Sequence, residues 1–143
     1  MSIKIIIKYF DSNMPKIEKI EIGNWIDLRC SHDVVLTKGN SLIIRLGVAM
    51  KLPKGYEAII APRSSSFKNW GCLQVNGLGI IDESYSGDTD EWLWAVYATR
   101  DSIIERYSRV CQFRIQEKQP NIVFKEVLSL GISRGGFGST GIK

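Results

Sequence analysis

The stretch Asn76-Gly-Leu-Gly-Ile-Ile-Asp-Glu-Ser-Tyr-Ser-Gly87 combines strand-forming apolar residues with closely spaced glycines. Leu78, Ile80 and Ile81 favour β-structure and the glycines favour tight turns, so the stretch predicts a buried strand within a hairpin. Asp82 follows the apolar run directly. This aspartate either caps a turn or acts as a general base where a bound ligand excludes water. The stretch taken alone favours the turn.

Short apolar runs separated by turn residues continue along the 143-residue chain. Their regular spacing predicts an all-β sandwich or barrel with one short helix near residues 64–70. The glycine-rich end differs from the rest, so we predict a β domain over residues 1–130 and a flexible C-terminal arm over residues 131–143. Besides the strand of the opening stretch, strands are predicted at residues 3–10, 16–22, 25–30, 34–36, 41–50, 56–61, 92–97, 110–116 and 122–127.

The composition narrows the class of protein. Hydrophobic residues make up 44% and charged residues 24%, as in ordinary globular proteins. The net charge is +4 and the basic residues are scattered along the chain, which argues against nucleic-acid binding. The three cysteines are odd in number and widely spaced, so we expect no disulfide scaffold and a reducing, cytoplasmic environment. With the single histidine, His32, they cannot form a zinc site. We expect neither a signal peptide nor a membrane span, because charged residues interrupt the apolar runs.

Two further motifs suggest an anion site. Arg63, Ser64 and Ser65 follow a predicted strand; serines there are first of all helix N-caps, and alternatively they form a phosphate site with the arginine fork. Arg109 and Gln112 are polar positions in an apolar strand. Either they face solvent by simple alternation, or Gln112 contacts a phosphate while Arg109 forms a structural ion pair nearby.

The C-terminal motif Ser133-Arg-Gly-Gly-Phe-Gly-Ser-Thr-Gly141 is glycine-rich but lacks the Walker A pattern. Its glycines allow backbone N–H groups to approach phosphate oxygens. Phe137 lies between two glycines, where its ring can fold over a flat ligand and stack on it. A disordered polar end would not explain this aromatic residue.

In this order the motifs resemble those of the trimeric dUTPases, particularly those of bacteriophages and prophages of Gram-positive bacteria. The resemblance extends from residue 25 to residue 141. Its third and fifth motifs are the most specific. The five matching segments are Trp25–Leu28, Pro62–Ser65, Asn76–Gly87, Arg109–Gln112 and Arg134–Gly141.

The resemblance implies a jelly-roll-like fold, a homotrimer with shared active sites, and Mg²⁺-dependent hydrolysis of dUTP to dUMP and pyrophosphate. That reaction limits uracil in DNA and supplies dUMP for dTMP synthesis. Asp82 would activate the attacking water, Tyr85 would exclude a ribose 2′-OH, and Asp27 would reach Mg²⁺ only through water. Arg134 would act with Asp82 in catalysis. Asn76 and Gly79 would read uracil, the triphosphate would contact Arg63, Ser64, Ser65 and Gln112, and the arm residues Arg134, Phe137, Gly138, Ser139 and Thr140 would close over the nucleotide from a neighbouring subunit.

Three alternatives stay open. A dCTP deaminase shares this fold, although the Ile-Asp-Glu-Ser-Tyr-Ser-Gly string favours dUTPase. A regulatory protein could use the nucleotide only as a switch, and the acidic, aromatic segment 88–94 is then the candidate surface for a protein partner. We expect Trp92 and Trp94 in the core and at trimer contacts; a less favoured hypothesis gives one of them, or Leu93, a share of the lid role of Phe137.

Overall fold

Strands dominate the regular structure of the computed structural model, which describes residues 2–143. The described residues contain a single short helix, α1, which spans Ser66–Trp70. The strands are β1 (Ile6–Tyr9), β2 (Ile26–Arg29), β3 (Val34–Leu36), β4 (Ser41–Arg45), β5 (Val48–Lys51), β6 (Tyr56–Pro62), β7 (Cys72–Gln74), β8 (Gly79–Ile81), β9 (Leu93–Ala98), β10 (Ser102–Ile104) and β11 (Arg109–Glu117). The predicted all-β, jelly-roll-like architecture is confirmed.

Within residues 2–143, antiparallel pairing organises the strands into four sheets. The largest has the order β2-β11-β6-β8, with the long strand β11 between β2 and β6 and with β8 at the edge. A three-stranded sheet has the order β4-β9-β7, and two ribbons pair β1 with β5 and β3 with β10. The third motif, which contains β8, and the fourth motif, at the start of β11, therefore lie in the same sheet.

The core forms where alternating side chains of these sheets meet. Trp92 and Trp94 are almost fully buried, and Trp92 packs edge-on against Phe113 at 5.2 Å between ring centroids. The prediction that both tryptophans belong to the core is confirmed, and their burial rules out the lid role suggested for them. All three cysteines are free and buried, and burial raises the pKa of each thiol, most strongly that of Cys111.

Several predicted strands were wrong in extent or existence. Residues 16–22 form no strand. The Ile17 N–H donates its hydrogen bond to the Tyr9 hydroxyl at 2.8 Å rather than to the backbone of a neighbouring strand. Residues 122–127 form none either, because they pair with no strand of the described chain and are exposed. Residues 41–50 divide into β4 and β5 at Gly47, whose φ of 71° is left-handed.

Local pairing also corrects the opening stretch. Strands β7 and β8 do not pair as a hairpin, since β7 joins β9 and β8 joins β6. The strand is not buried either: Leu78 and Ile80 are 60% and 53% exposed. Strands β7 and β10 were not predicted, because each three-residue run includes a polar residue and shows no strand pattern. In residues 2–143, no helix has the length and apolar character that a membrane crossing requires.

Candidate active site

A cluster of two arginines around one carboxylate lies at the end of β6. The Asp27 Oδ1 atom is 3.2 Å from Arg63 Nε, and its Oδ2 atom is 3.8 Å from a guanidinium nitrogen of Arg109. The Arg63 guanidinium also donates to the Arg109 carbonyl oxygen at 3.1 Å. The predicted ion pair of Arg109 is therefore present, and Asp27 holds both guanidinium groups in place, one just after β6 and the other on β11.

Gln112 lies beside this cluster because β11 places it opposite Asp27 on β2 and opposite Ala61 on β6. Its side-chain amide donates to the Pro62 carbonyl oxygen at 3.1 Å. This bond fixes the side chain at the same end of β6 as Arg63. The second and fourth motifs thus meet, as a phosphate site requires.

The three serines after Arg63 have different roles. Ser65 takes the N-cap position of α1, but its side chain makes no capping bond, so the N-cap interpretation was wrong for its hydroxyl. Buried Ser66, which the sequence did not single out, accepts a hydrogen bond from the Arg63 N–H (3.0 Å) and donates to the Val110 carbonyl oxygen (2.7 Å). Ser66 anchors the turn, which leaves the exposed Ser64 and half-buried Ser65 to face a ligand.

A second group of residues lines a cleft of about 450 Å³ beyond the edge strand β8, a volume suited to a small organic ligand. Exposed Asp82 lies at its margin and accepts a hydrogen bond from the Ser84 N–H at 2.8 Å. The Ser84 hydroxyl, followed by that N–H, lowers the pKa of Asp82 below its usual value. The lining residues are Ile80, Ile81, Asp82, Ser84, Tyr85, Glu91 and Leu93.

Two residues that the sequence did not single out stabilise this second group. Glu83 accepts a hydrogen bond from the Gly55 N–H at 2.8 Å and forms an ion pair with Lys118. The bond with Lys118, followed by the one from Gly55, lowers the pKa of Glu83. The turn that carries Asp82 is therefore tied both to the β5–β6 turn and to the end of β11.

Gln74 is the second such residue. Its amide nitrogen donates to the carbonyl oxygens of Ile60 (3.1 Å) and Asn76 (3.0 Å), and its oxygen accepts from the Trp94 indole at 2.7 Å. These bonds fix the bend between β7 and β8. At Gly79 a Cβ atom would lie 3.2 Å from the Ile60 Cβ, so glycine allows β8 to approach β6 closely.

The two groups lie at opposite ends of β6. Ile81 pairs with Ala58, which places Asp82 level with Glu57, whereas Arg63 follows the last residue of the strand. At about 3.3 Å per residue, Asp82 and Arg63 are roughly 20 Å apart along the strand. One chain therefore does not bring the predicted base and the predicted phosphate residues together.

The C-terminal residues contact neither group. Phe137 is fully exposed, and Arg134 makes no ion pair within residues 2–143. Gly138, Ser139 and Thr140 belong to a small turn closed by bonds between backbone groups of residues 136–141. The position of the arm over a ligand stays a prediction.

The order of these motifs on a jelly-roll-like fold defines a family of nucleotide-binding β proteins. The dUTPase family model matches residues 25–141, and the chain belongs to the dUTPase family. It is a dUTPase of the phage and prophage type.

Relatives of known name agree with this assignment. The chain is 51% identical over 141 residues to the SPbeta prophage-derived deoxyuridine 5'-triphosphate nucleotidohydrolase of Bacillus subtilis (strain 168), covering 98% of this chain and 99% of that protein. It is 33% identical to the deoxyuridine 5'-triphosphate nucleotidohydrolase of Thermobifida fusca (strain YX), covering 98% of this chain and 80% of that protein.

Solved structures share the fold. A mutant dUTPase of Staphylococcus bacteriophage 80alpha with dUpNHpp has a TM-score of 0.80 at 19% identity, covering 99% of this chain and all of that chain. A mutant dUTPase of phage phi11 of S. aureus, described with a structural Mg(II) ion, has a TM-score of 0.75 at 15% identity, covering 89% of this chain and 98% of that chain.

Proposed function

We propose that this dUTPase hydrolyses dUTP to dUMP and pyrophosphate by in-line attack of water on the α-phosphorus. The observation that carries the proposal is Asp82 at the margin of the cleft that Tyr85 also lines. As water bonds to the α-phosphorus, the bond to the bridging oxygen breaks and pyrophosphate leaves with that electron pair. Because the pKa of Asp82 is lowered, the carboxylate is a weak base whose main contribution is to orient the water and accept its proton.

Base selection is supported by the position of β8 at the edge of its sheet. An edge strand has unpaired backbone donors and acceptors, and those near Gly79 can pair with uracil as a complementary base would. Gln74 fixes Asn76 and the bend beside it. Cytosine would place a donor where an acceptor is needed and leave buried groups unpaired, which strongly reduces its binding.

The triphosphate contacts are proposed for the cluster at the other end of β6. Arg63, held by Asp27, offers a guanidinium fork to phosphate oxygens, and the Ser64 and Ser65 hydroxyls and the Gln112 amide add uncharged donors. With Arg134 from the arm, Arg63 neutralises the negative charge that develops on the phosphates.

The separation of the two groups supports a homotrimer in which each active site is shared between subunits. One face of the β4-β9-β7 sheet also carries apolar side chains that water would otherwise contact: Ile43 is 61%, Leu73 48% and Tyr97 43% exposed. Burying such a surface against a second copy is favourable. In this assembly the arm of a neighbouring subunit closes over the nucleotide, with Phe137 stacking on the base.

The chain fits Mg²⁺ as an ion carried by the substrate. No group of three or more potential ligand side chains occurs in residues 2–143, and the Asp27 carboxylate is occupied by two arginines. Asp27 would therefore reach the ion only through its water shell, which suits Mg²⁺ because that ion keeps its waters. When bound, the ion supplies positive charge to the phosphate oxygens.

The test is pyrophosphate release from dUTP, compared with dTTP, dCTP and UTP in the presence of magnesium. Hydrolysis of dUTP alone supports the proposal, whereas ammonia released from dCTP would indicate a deaminase instead.

The proposed role in the cell is to limit uracil in DNA and to supply dUMP for dTMP synthesis, in a reducing cytoplasm that suits three free cysteines. A partner-binding role of residues 88–94 stays a prediction.

The acid limit of activity should depend on Ser84. Asp82 must be ionised, so activity is present above its pKa and is lost as the pH falls through that value. Ser84→Ala removes the hydroxyl that most lowers this pKa, while the N–H remains. The acid limb of the profile of kcat against pH should therefore move to higher pH. The measurement is kcat between pH 3 and 7, in steps of about half a pH unit. Ser86→Ala is the matched control and should leave the limb in place.

A further inference from the structure

Residues 87–92, which we call the brace, join the turn after Asp82 to β9 and are fastened at both ends. Lys8 on β1 donates to the Asp88 carbonyl oxygen at 2.9 Å. The Trp92 N–H donates to the Val48 carbonyl oxygen (2.7 Å), and the Trp92 carbonyl oxygen accepts from the Leu46 N–H (3.0 Å). The brace therefore has little freedom to move relative to β1 and the β4–β5 turn.

The Glu91 side chain provides a further attachment. Its Oε2 atom accepts a hydrogen bond from the Gly47 N–H at 2.9 Å. Met14 packs closely over the Gly47 backbone, since a Cβ atom there would lie 2.7 Å from the Met14 sulfur. Gly47 is buried, so its N–H would be costly to leave without the carboxylate partner, and this bond holds Glu91 against the β4–β5 turn.

The Glu91 carbonyl oxygen in turn accepts a hydrogen bond from the Tyr85 hydroxyl at 2.7 Å. This bond fixes the ring of Tyr85 at the cleft, where the side chain is 37% exposed and could otherwise rotate. Burial, followed by the charges of Asp90 and Glu91, raises the pKa of Tyr85, so the hydroxyl stays protonated and remains a donor at neutral pH.

We propose that Glu91 is a positioning residue that sets the sugar selectivity of the enzyme, because it holds the carbonyl oxygen that fixes the Tyr85 ring. The inference rests on the proposed function, in which that ring lies against the deoxyribose. A fixed ring leaves no room for a 2′-OH, whereas a mobile ring yields to it. The brace thereby affects discrimination between sugars rather than the hydrolysis step itself.

The test compares kcat/KM for dUTP and UTP in Glu91→Ala, Glu91→Gln and Thr89→Ala. Glu91→Ala should lower the ratio of kcat/KM for dUTP to that for UTP by roughly three- to tenfold, chiefly through a lower KM for UTP. This is about the effect expected from the loss of one hydrogen bond. Glu91→Gln keeps an acceptor for Gly47 and should restore most of the ratio. Thr89→Ala changes an exposed side chain of the same brace and should leave the ratio unchanged.

Tyr85→Phe provides an independent route to the same result, since it removes the hydroxyl and keeps the ring. It should lower the ratio to a similar extent, and the double variant with Glu91→Ala should show little additional loss, because both changes break one connection. An unchanged ratio in Glu91→Ala would overturn the inference even if Tyr85→Phe lowered the ratio, as would an equal loss for both substrates. A wild-type chain that fails to hydrolyse dUTP would instead refute the proposed function.

Discussion

An Asp82→Asn variant is expected to bind dUTP and leave it uncleaved. The amide retains an oxygen that accepts the Ser84 N–H, so the turn keeps its geometry. It cannot accept a proton and orients water poorly, so kcat should fall by about 10²- to 10⁴-fold. The measurements are pyrophosphate release and, separately, binding of a non-hydrolysable dUTP analogue by calorimetry.

Asp88→Asn is the matched control for that variant. It makes the same acid-to-amide change on a side chain that is 95% exposed, and its kcat should stay within about twofold of the wild-type value. Because Asp82 is exposed, the thermal midpoint of Asp82→Asn should also remain close to that of the wild type. Loss of analogue binding together with activity would show that Asp82 is structural and would contradict its catalytic role.

The sequence predicted the all-β fold because its strands carry strong local signals. Residues 111–116 of β11 alternate between apolar and polar, and its neighbours β2 and β6 coincide with predicted strands to within one residue. It did not predict β7 and β10, because each three-residue run includes a polar residue, whereas the equally short β3 is apolar throughout and was predicted. It predicted a strand at 122–127 from propensity alone, and propensity does not supply a pairing partner.

The structure brings the predicted site residues together in two groups, at opposite ends of β6, rather than in one place in one chain. The sequence associated Arg63 with Gln112, and antiparallel pairing brings them to one end of β6. It could not show that Asp82 lies at the other end, because that depends on the register of β8 against β6. Nor could it distinguish buried Ser66 from exposed Ser64 and half-buried Ser65. It also could not assign Gln74, Glu83 and Glu91 their long-range partners.

Two inactive chains are expected to restore activity when they are mixed into shared trimers. One is Asp82→Asn, which retains the arm; the other ends at Ile132, which removes the arm and retains Asp82. Removing residues 133–143 should not disturb folding, since these residues are exposed and pack on neither group. The truncated chain alone should be inactive, because Phe137 and Arg134 are then absent; residual activity would support Leu93 as a second lid.

After the two chains are unfolded together, refolded and shown to form mixed trimers, an active site arises wherever a subunit with Asp82 has a neighbour with the arm. For an equal mixture assembled at random in a symmetric trimer, about one quarter of the sites should be complete. The initial rate of pyrophosphate release should therefore recover to about one quarter of the wild-type rate. Mixing after separate refolding is the control and should give no activity if subunits do not exchange. Mixed trimers without activity would mean that each chain closes its own arm over its own Asp82, so the shared-site arrangement would be wrong even if dUTP hydrolysis by the wild type were intact.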